Sequence, residues 1–165
     1  MSKIYDNLMA AFAGESQANR KYLAFAKKAE EEGFTQAARL FRAVAHAETI
    51  HAHNHLRRAG EVHSTEENLK AAAAGENYES TEMYPAFMAD AEAAGDKAAF
   101  NSFHWANEAE KVHEVLYREM LASLAKPGEE YDYYICPVCG YTEKRGAPEK
   151  CPVCGAPGAR FERIS

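Results

Sequence analysis

Apolar residues recur along the first three quarters of the chain at spacings of three, four and seven, the period of a helix with one buried face. Ile4, Leu8, Ala11, Phe12, Ala18, Tyr22 and Phe25 form one stripe, which stops near Gly33. Phe34, Ala38, Phe41, Val44, Ala45 and Ala59 form a second, which stops at Gly60. A third runs from about Tyr78 to Ala94 through Met83, Ala86 and Phe87, and ends at Gly95. A fourth begins after Asp96 and carries Phe103, Ala106, Tyr117, Leu121 and Leu124. The pattern predicts four long helices, with glycines where left-handed caps close such helices. Pro85 lies inside the third and should kink it. The segment from Glu61 to Asn77 is too long for a tight helix–helix turn. Ser64 and Glu67 have capping-box spacing there. The expectation is a long crossover with a short helix, either separate or merged into the third helix.

Beyond residue 126 the periodicity stops. Residues 133–165 hold four of the six prolines and all four cysteines. Lys126 to Asp132, KPGEEYD, carries breakers and charge between these regions. The predicted organisation is a four-helix domain over 1–126, a linker over 127–132 and a small second domain over 133–165. The formal net charge of -6 counts against a nucleic-acid partner. No apolar run reaches membrane-spanning length, and the first residues lack the sections of a secretory signal. The expected setting is the cytoplasm, with no membrane partner.

Each apolar stripe also contains carboxylates: Glu15, Glu48, Glu79 with Glu82, and Glu110. A carboxylate facing a core must be paired, protonated or bound to a cation. Glu48-Thr-Ile-His51 and Glu110-Lys-Val-His113 are both E-x-x-H, which sets an oxygen and a nitrogen ligand one turn apart. Glu15 precedes Glu48 by 33 residues and Glu79 precedes Glu110 by 31. The chain thus reads as two helix pairs with one plan, the ligand plan of di-metal carboxylate bundles. Such ligands suit iron or manganese, with zinc left open. Glu82 is either a solvated neighbour or a further ligand. Tyr22, seven residues after Glu15, is either a core tyrosine or a hydrogen-bond partner of a ligand.

The cysteines fall as Cys136-x2-Cys139 and Cys151-x2-Cys154, the spacing of a tetrahedral four-sulfur site. Zinc or iron fits the ligands. A neighbouring redox site favours iron, because zinc carries no electrons.

On these motifs the chain resembles the rubrerythrin family: Glu15 within AGESQANRKY, the two E-x-x-H motifs, ENYESTEMYPAF, and two CPVCG knuckles. The resemblance implies a mainly α fold, a ferritin-like four-helix bundle followed by a small β-rich rubredoxin-like domain. It implies a di-iron site held by Glu15, Glu48, Glu79, Glu82, Glu110 and His113. His51 is implied to exchange with Glu82 as one iron changes oxidation state. It implies one iron on Cys136, Cys139, Cys151 and Cys154. The implied activity is reduction of hydrogen peroxide to water in oxidative-stress defence. Electrons come from NAD(P)H through a separate reductase or rubredoxin and enter at the cysteine centre. The resemblance also implies a homodimer or higher homo-oligomer in which one subunit's cysteine centre lies near the other's di-iron site. Two other readings stay open: a ferritin-like protein that oxidises ferrous iron, and a zinc-ribbon module on a structural bundle. In HAETIHAHNH, helical angle sets His51 beside Glu48 and turns His46 and His53 away. His55 shares the stripe without an assigned role.

Overall fold

The buried apolar side chains of the helices are alanines, among the described residues. The computed structural model describes residues 2–126 and 128–165, and it divides after His63 into two compact units. In the first unit, α1 (Lys3–Glu31) and α2 (Thr35–Ala59) form an antiparallel hairpin. Ala26, Ala29, Ala38, Ala45 and Ala52 are buried in it. Small side chains let the backbones approach, and the approach admits one polar bridge. Buried Asn19 donates from Nδ2 to the Ala45 carbonyl at 2.7 Å and to Thr49 Oγ1 at 2.8 Å. Being satisfied, this amide costs little to bury. Gly60, at φ 83°, closes α2 in the left-handed conformation expected of it.

The second unit opens on the predicted capping box, with Ser64 and Glu67 each satisfying the other's backbone N–H. Only residues 61–64 of the expected crossover lie outside helices. From Thr65 the chain is helical as α3 (Thr65–Tyr78), a single π-helical turn (Glu79–Met83) and α4 (Tyr84–Ala94). The crossover helix is therefore merged into the third predicted helix. Pro85 sits in the first turn of α4. The Tyr84 N–H reaches back five residues to the Glu79 carbonyl, so the wide turn falls where proline interrupts the ordinary ladder. After Gly95, α5 (Lys97–Ser123) is capped by Asp96, whose carboxylate accepts from the Ala98 and Ala99 N–H groups. It packs along α3, the π turn and α4.

The linker expected at 127–132 begins at Pro127, which lies outside the described residues. The remaining chain forms β1 (Tyr133–Ile135), β2 (Thr142–Lys144) and β3 (Glu162–Ile164) in an antiparallel sheet of order β2-β1-β3. Ile135 pairs with Thr142 on one side and Glu162 on the other. This register holds the first cysteine pair in the β1–β2 connection. Cys136, Cys151 and Ala156 form the buried centre, with Tyr141, Val153 and Phe161 packed on it. Among the described residues no helix is long and apolar enough to cross a membrane.

Candidate metal centres

The two E-x-x-H motifs produce matching clusters, one in each unit. In the first, His51 Nδ1 lies 2.8 Å from Glu48 Oε2 and 3.9 Å from Glu15 Oε1. In the second, His113 Nδ1 lies 2.6 Å from Glu110 Oε2 and 3.8 Å from Glu76 Oε2. Each group offers three ligand atoms within 4.8 Å of one another, a separation that one cation can span. His51 is the more open, with 54% of its side chain exposed against 23% for His113.

Glu76 is the residue that sequence reasoning missed. It occupies in the second unit the place of Glu15 in the first, and a repeat in the aromatic residues confirms the match. Tyr22, Phe25 and Phe41 form a ring cluster with centroids 6.2, 6.2 and 5.6 Å apart. Tyr84, Phe87 and Phe103 form another at 6.3, 6.4 and 5.6 Å. Phe41 precedes Glu48 by seven residues, as Phe103 precedes Glu110. Glu15 precedes Tyr22 by seven, but Glu76 precedes Tyr84 by eight. The extra residue is absorbed by the π turn between them. The signal was present as spacing: Glu76 to Glu110 is 34 residues, one more than Glu15 to Glu48.

The same turn sorts the other two glutamates. A register of about 100° per residue set Glu79 and Glu82 on one face, but five residues per hydrogen-bonded turn break that register. Glu79 is half-buried and close enough to feel the charges of Glu110 and His113. Glu82 is exposed. Tyr22 lies in its aromatic cluster. His46 and His53 are exposed, and His55 is half-buried.

Electrostatics ties the second cluster together. Burial, a hydrogen bond with Glu110 and the Glu110 charge raise Glu76 to about 7. Burial works to raise Glu110 as well, but hydrogen bonds from His113 and Glu76 hold it below the usual carboxylate range. The crowding of the two carboxyls thus favours a proton on Glu76 over one on Glu110. Burial works to lower His113, and Glu110, the Gly140 carbonyl and Glu76 together raise it. Burial and then Glu110 raise Glu79. A cation would relieve this crowding by taking the proton's place.

The four cysteines meet as predicted and are free thiols. Cys136 Sγ lies 3.5 Å from Cys154 Sγ, and Cys139 Sγ lies 3.5 Å from Cys151 Sγ. Metal–sulfur bonds of about 2.3 Å give a tetrahedron with edges near 3.8 Å, so the donors fit one ion with little movement. The knuckles repeat each other. Cys136 N–H donates to the Tyr141 carbonyl and Cys151 N–H to the Ala156 carbonyl, both at 2.8 Å. Gly140 and Gly155, at φ 80° and 77°, donate back to the first cysteine of each pair at 3.0 Å. Burial works to raise Cys136, yet the Val138 and Cys139 N–H groups bring it to about 7. Burial raises Cys139 and Cys154.

His113 also touches the first knuckle within the chain. Its Nε2 lies 3.0 Å from the Gly140 carbonyl oxygen and 3.0 Å from Thr142 Oγ1. Lys144, two residues on, pairs with Glu119 of α5.

Comparison with known proteins agrees with both kinds of centre. A family profile described as rubrerythrin matches residues 6–121, and one described as the rubredoxin-like domain of rubrerythrin matches residues 134–162. A rubrerythrin of Porphyromonas gingivalis is 40% identical, the match covering 98% of this chain and 90% of that protein. Nigerythrin of Nitratidesulfovibrio vulgaris is 39% identical over 94% of this chain and 84% of its own. A solved structure of nigerythrin in its fully reduced, all-ferrous state superposes with a TM-score of 0.61 at 37% identity, covering 99% of this chain and 88% of that one.

Proposed function

Because the chain belongs to the rubrerythrin family, with its di-iron and four-cysteine centres, we propose that it reduces hydrogen peroxide to water with electrons that enter at the cysteines. The observation that carries this reading is the pairing of two Glu, Glu-x-x-His clusters with a four-thiol site in one chain. Glu15, Glu48, His51, Glu76, Glu79, Glu110 and His113 hold the iron pair. Glu79 takes the part that the family resemblance had given to Glu82. Cys136, Cys139, Cys151 and Cys154 hold the single iron. When bound, the iron pair supplies two electrons to peroxide, and the thiolate iron returns them one at a time.

The protein groups supply positions and protons. Glu110 fixes the His113 ring from one side and Gly140 from the other. Burial, then Glu110, Glu79 and Glu76, raise Tyr84, so its phenol keeps its proton beside the carboxylates. It can give that proton to a departing oxygen and recover it from solvent. The external donor is a reductase or rubredoxin linked to NAD(P)H, and the site of action is the cytoplasm.

The test is a coupled assay on iron-loaded protein with NADH, a rubredoxin reductase and hydrogen peroxide. The expected result is stoichiometric NADH and peroxide consumption with no net uptake of added ferrous iron. Iron uptake without peroxide-dependent NADH oxidation would overturn the reading in favour of iron handling.

A further inference from the structure

His113 is held from both sides, and each side belongs to a different centre. Nδ1 faces Glu110 and Glu76. Nε2 faces the Gly140 carbonyl and the Thr142 hydroxyl. A carbonyl oxygen only accepts, so Nε2 must carry the hydrogen. In the neutral ring this leaves the Nδ1 lone pair pointed at the two carboxylates. The knuckle thus selects the tautomer and fixes the ring plane. Such partners behind a ligating histidine commonly govern metal affinity.

The position of the Gly140 carbonyl is not independent of the cysteines. Gly140 directly follows Cys139, and its N–H donates to the Cys136 carbonyl. Thr142 Oγ1 is itself 3.1 Å from the Gly140 oxygen, so both acceptors move as one piece. Four thiols gathered within 4.8 Å keep that shape best around an ion, because thiolates without a cation repel. A cavity of about 340 Å³, lined by Leu69, Leu116, Met120 and Tyr133, adjoins His113 and Thr142. If the knuckle loosens, the ring has space to turn. The Lys144–Glu119 pair is a second polar tie between this hairpin and α5, and both of its side chains are substantially exposed. Such a pair holds weakly.

We propose that the cysteine centre controls loading of the helical centre: a metal on the four thiols sets Gly140 and Thr142, which set His113 for a metal on Glu76 and Glu110. Thr142 is a positioning residue that touches neither metal. By linkage the effect is reciprocal, so a metal at the helices also tightens the cysteine centre. This rests on the reading of Glu76, Glu110 and His113 as ligands.

The experiment uses the full chain stripped of metal. One portion receives a single equivalent of zinc, which thiolates take in preference to carboxylates. Manganese(II), which disfavours thiolates, is then titrated into both portions and followed by the electron paramagnetic resonance of the free ion. The zinc-loaded protein should bind manganese ~10-fold more tightly or better. Thr142→Val should lose several-fold of that gain while binding zinc normally, and Thr142→Ser should restore it. Proton–nitrogen NMR should show the His113 Nε2–H sharp and slow to exchange with zinc, and broadened without it. Equal manganese affinity with and without zinc overturns the coupling but leaves the ligand reading standing. Failure of manganese to bind either portion overturns both.

Discussion

Glu76 and His113 turn metal binding into proton displacement. Glu76 is raised from 4.5 to about 7 by burial, its hydrogen bond to Glu110 and the Glu110 charge. His113 is also raised, although burial alone would lower it. Both bind protons more tightly folded than unfolded. In the cation-free protein, the Glu76 contribution to stability is therefore full below about pH 4.5 and lost as pH rises through about 7. The His113 contribution is full below its unfolded value and lost as pH rises through its higher folded value. A cation reverses the slope, because it must expel these protons. Manganese affinity should rise from pH 4.5 to 7, with proton release near pH 6. Calorimetry in two buffers of different ionisation heat measures that release, and none at all would mean that Glu76 holds no proton. At the same scale, Glu76→Gln should weaken metal binding and peroxide turnover ~10-fold or more, whereas Glu82→Gln should change each less than about twofold. If the two variants behave in the opposite order, the ligand assignment is reversed.

At the scale of elements, the π turn decides what could be read in advance. The E-x-x-H motifs were legible because α2 and α5 are regular helices, in which residues three apart share a face. The caps at Ser64, Gly60 and Gly95 were legible because their chemistry is local. Glu76 was not, because projecting a uniform helix across residues 79–83 rotates everything beyond by the wrong angle. The histidine's grip on Gly140 was not legible either, since it joins residues 27 apart across a linker. Deleting exposed Thr81 tests the turn itself. The segment from α3 to α4 should become one regular helix, with far-UV circular dichroism unchanged. Glu79 should rotate from its place near Glu110, and metal affinity should fall several-fold. Unchanged affinity would mean that Glu79 binds nothing.

At the scale of the whole molecule, the proposed function gives the two kinds of centre different work, and the loss of each should have its own kinetic signature. Replacing Cys136 and Cys139 together with alanine removes two of four thiolates and no helical carboxylate or histidine. Pre-reduced protein of this kind, given enough ferrous iron to saturate its weakened helical centre, should complete one peroxide turnover at near-normal rate in stopped flow. Reductase-driven steady turnover should fall by more than ~100-fold, the loss expected when a required electron entry is removed. Steady turnover at the parental rate would place electron entry elsewhere. Glu79, the first residue of the π turn, reaches this scale too. On the proposed ligand set, Glu15, Glu48, Glu76, Glu79 and Glu110 would bring five negative charges, where two identical copies of the Glu, Glu-x-x-His plan would bring four. Two ferrous ions bring four positive charges and two ferric ions six. A five-carboxylate centre would therefore pass from one charge below neutral to one above, while a four-carboxylate centre would pass from neutral to two above. Excess positive charge in a poorly hydrated site is costly, so the fifth carboxylate would favour the oxidised pair. On the proposed ligand set, one glutamate at the mouth of the π turn, where the first helix pair has Ala18, would lower the reduction potential of the metal pair and make it a stronger electron donor to peroxide.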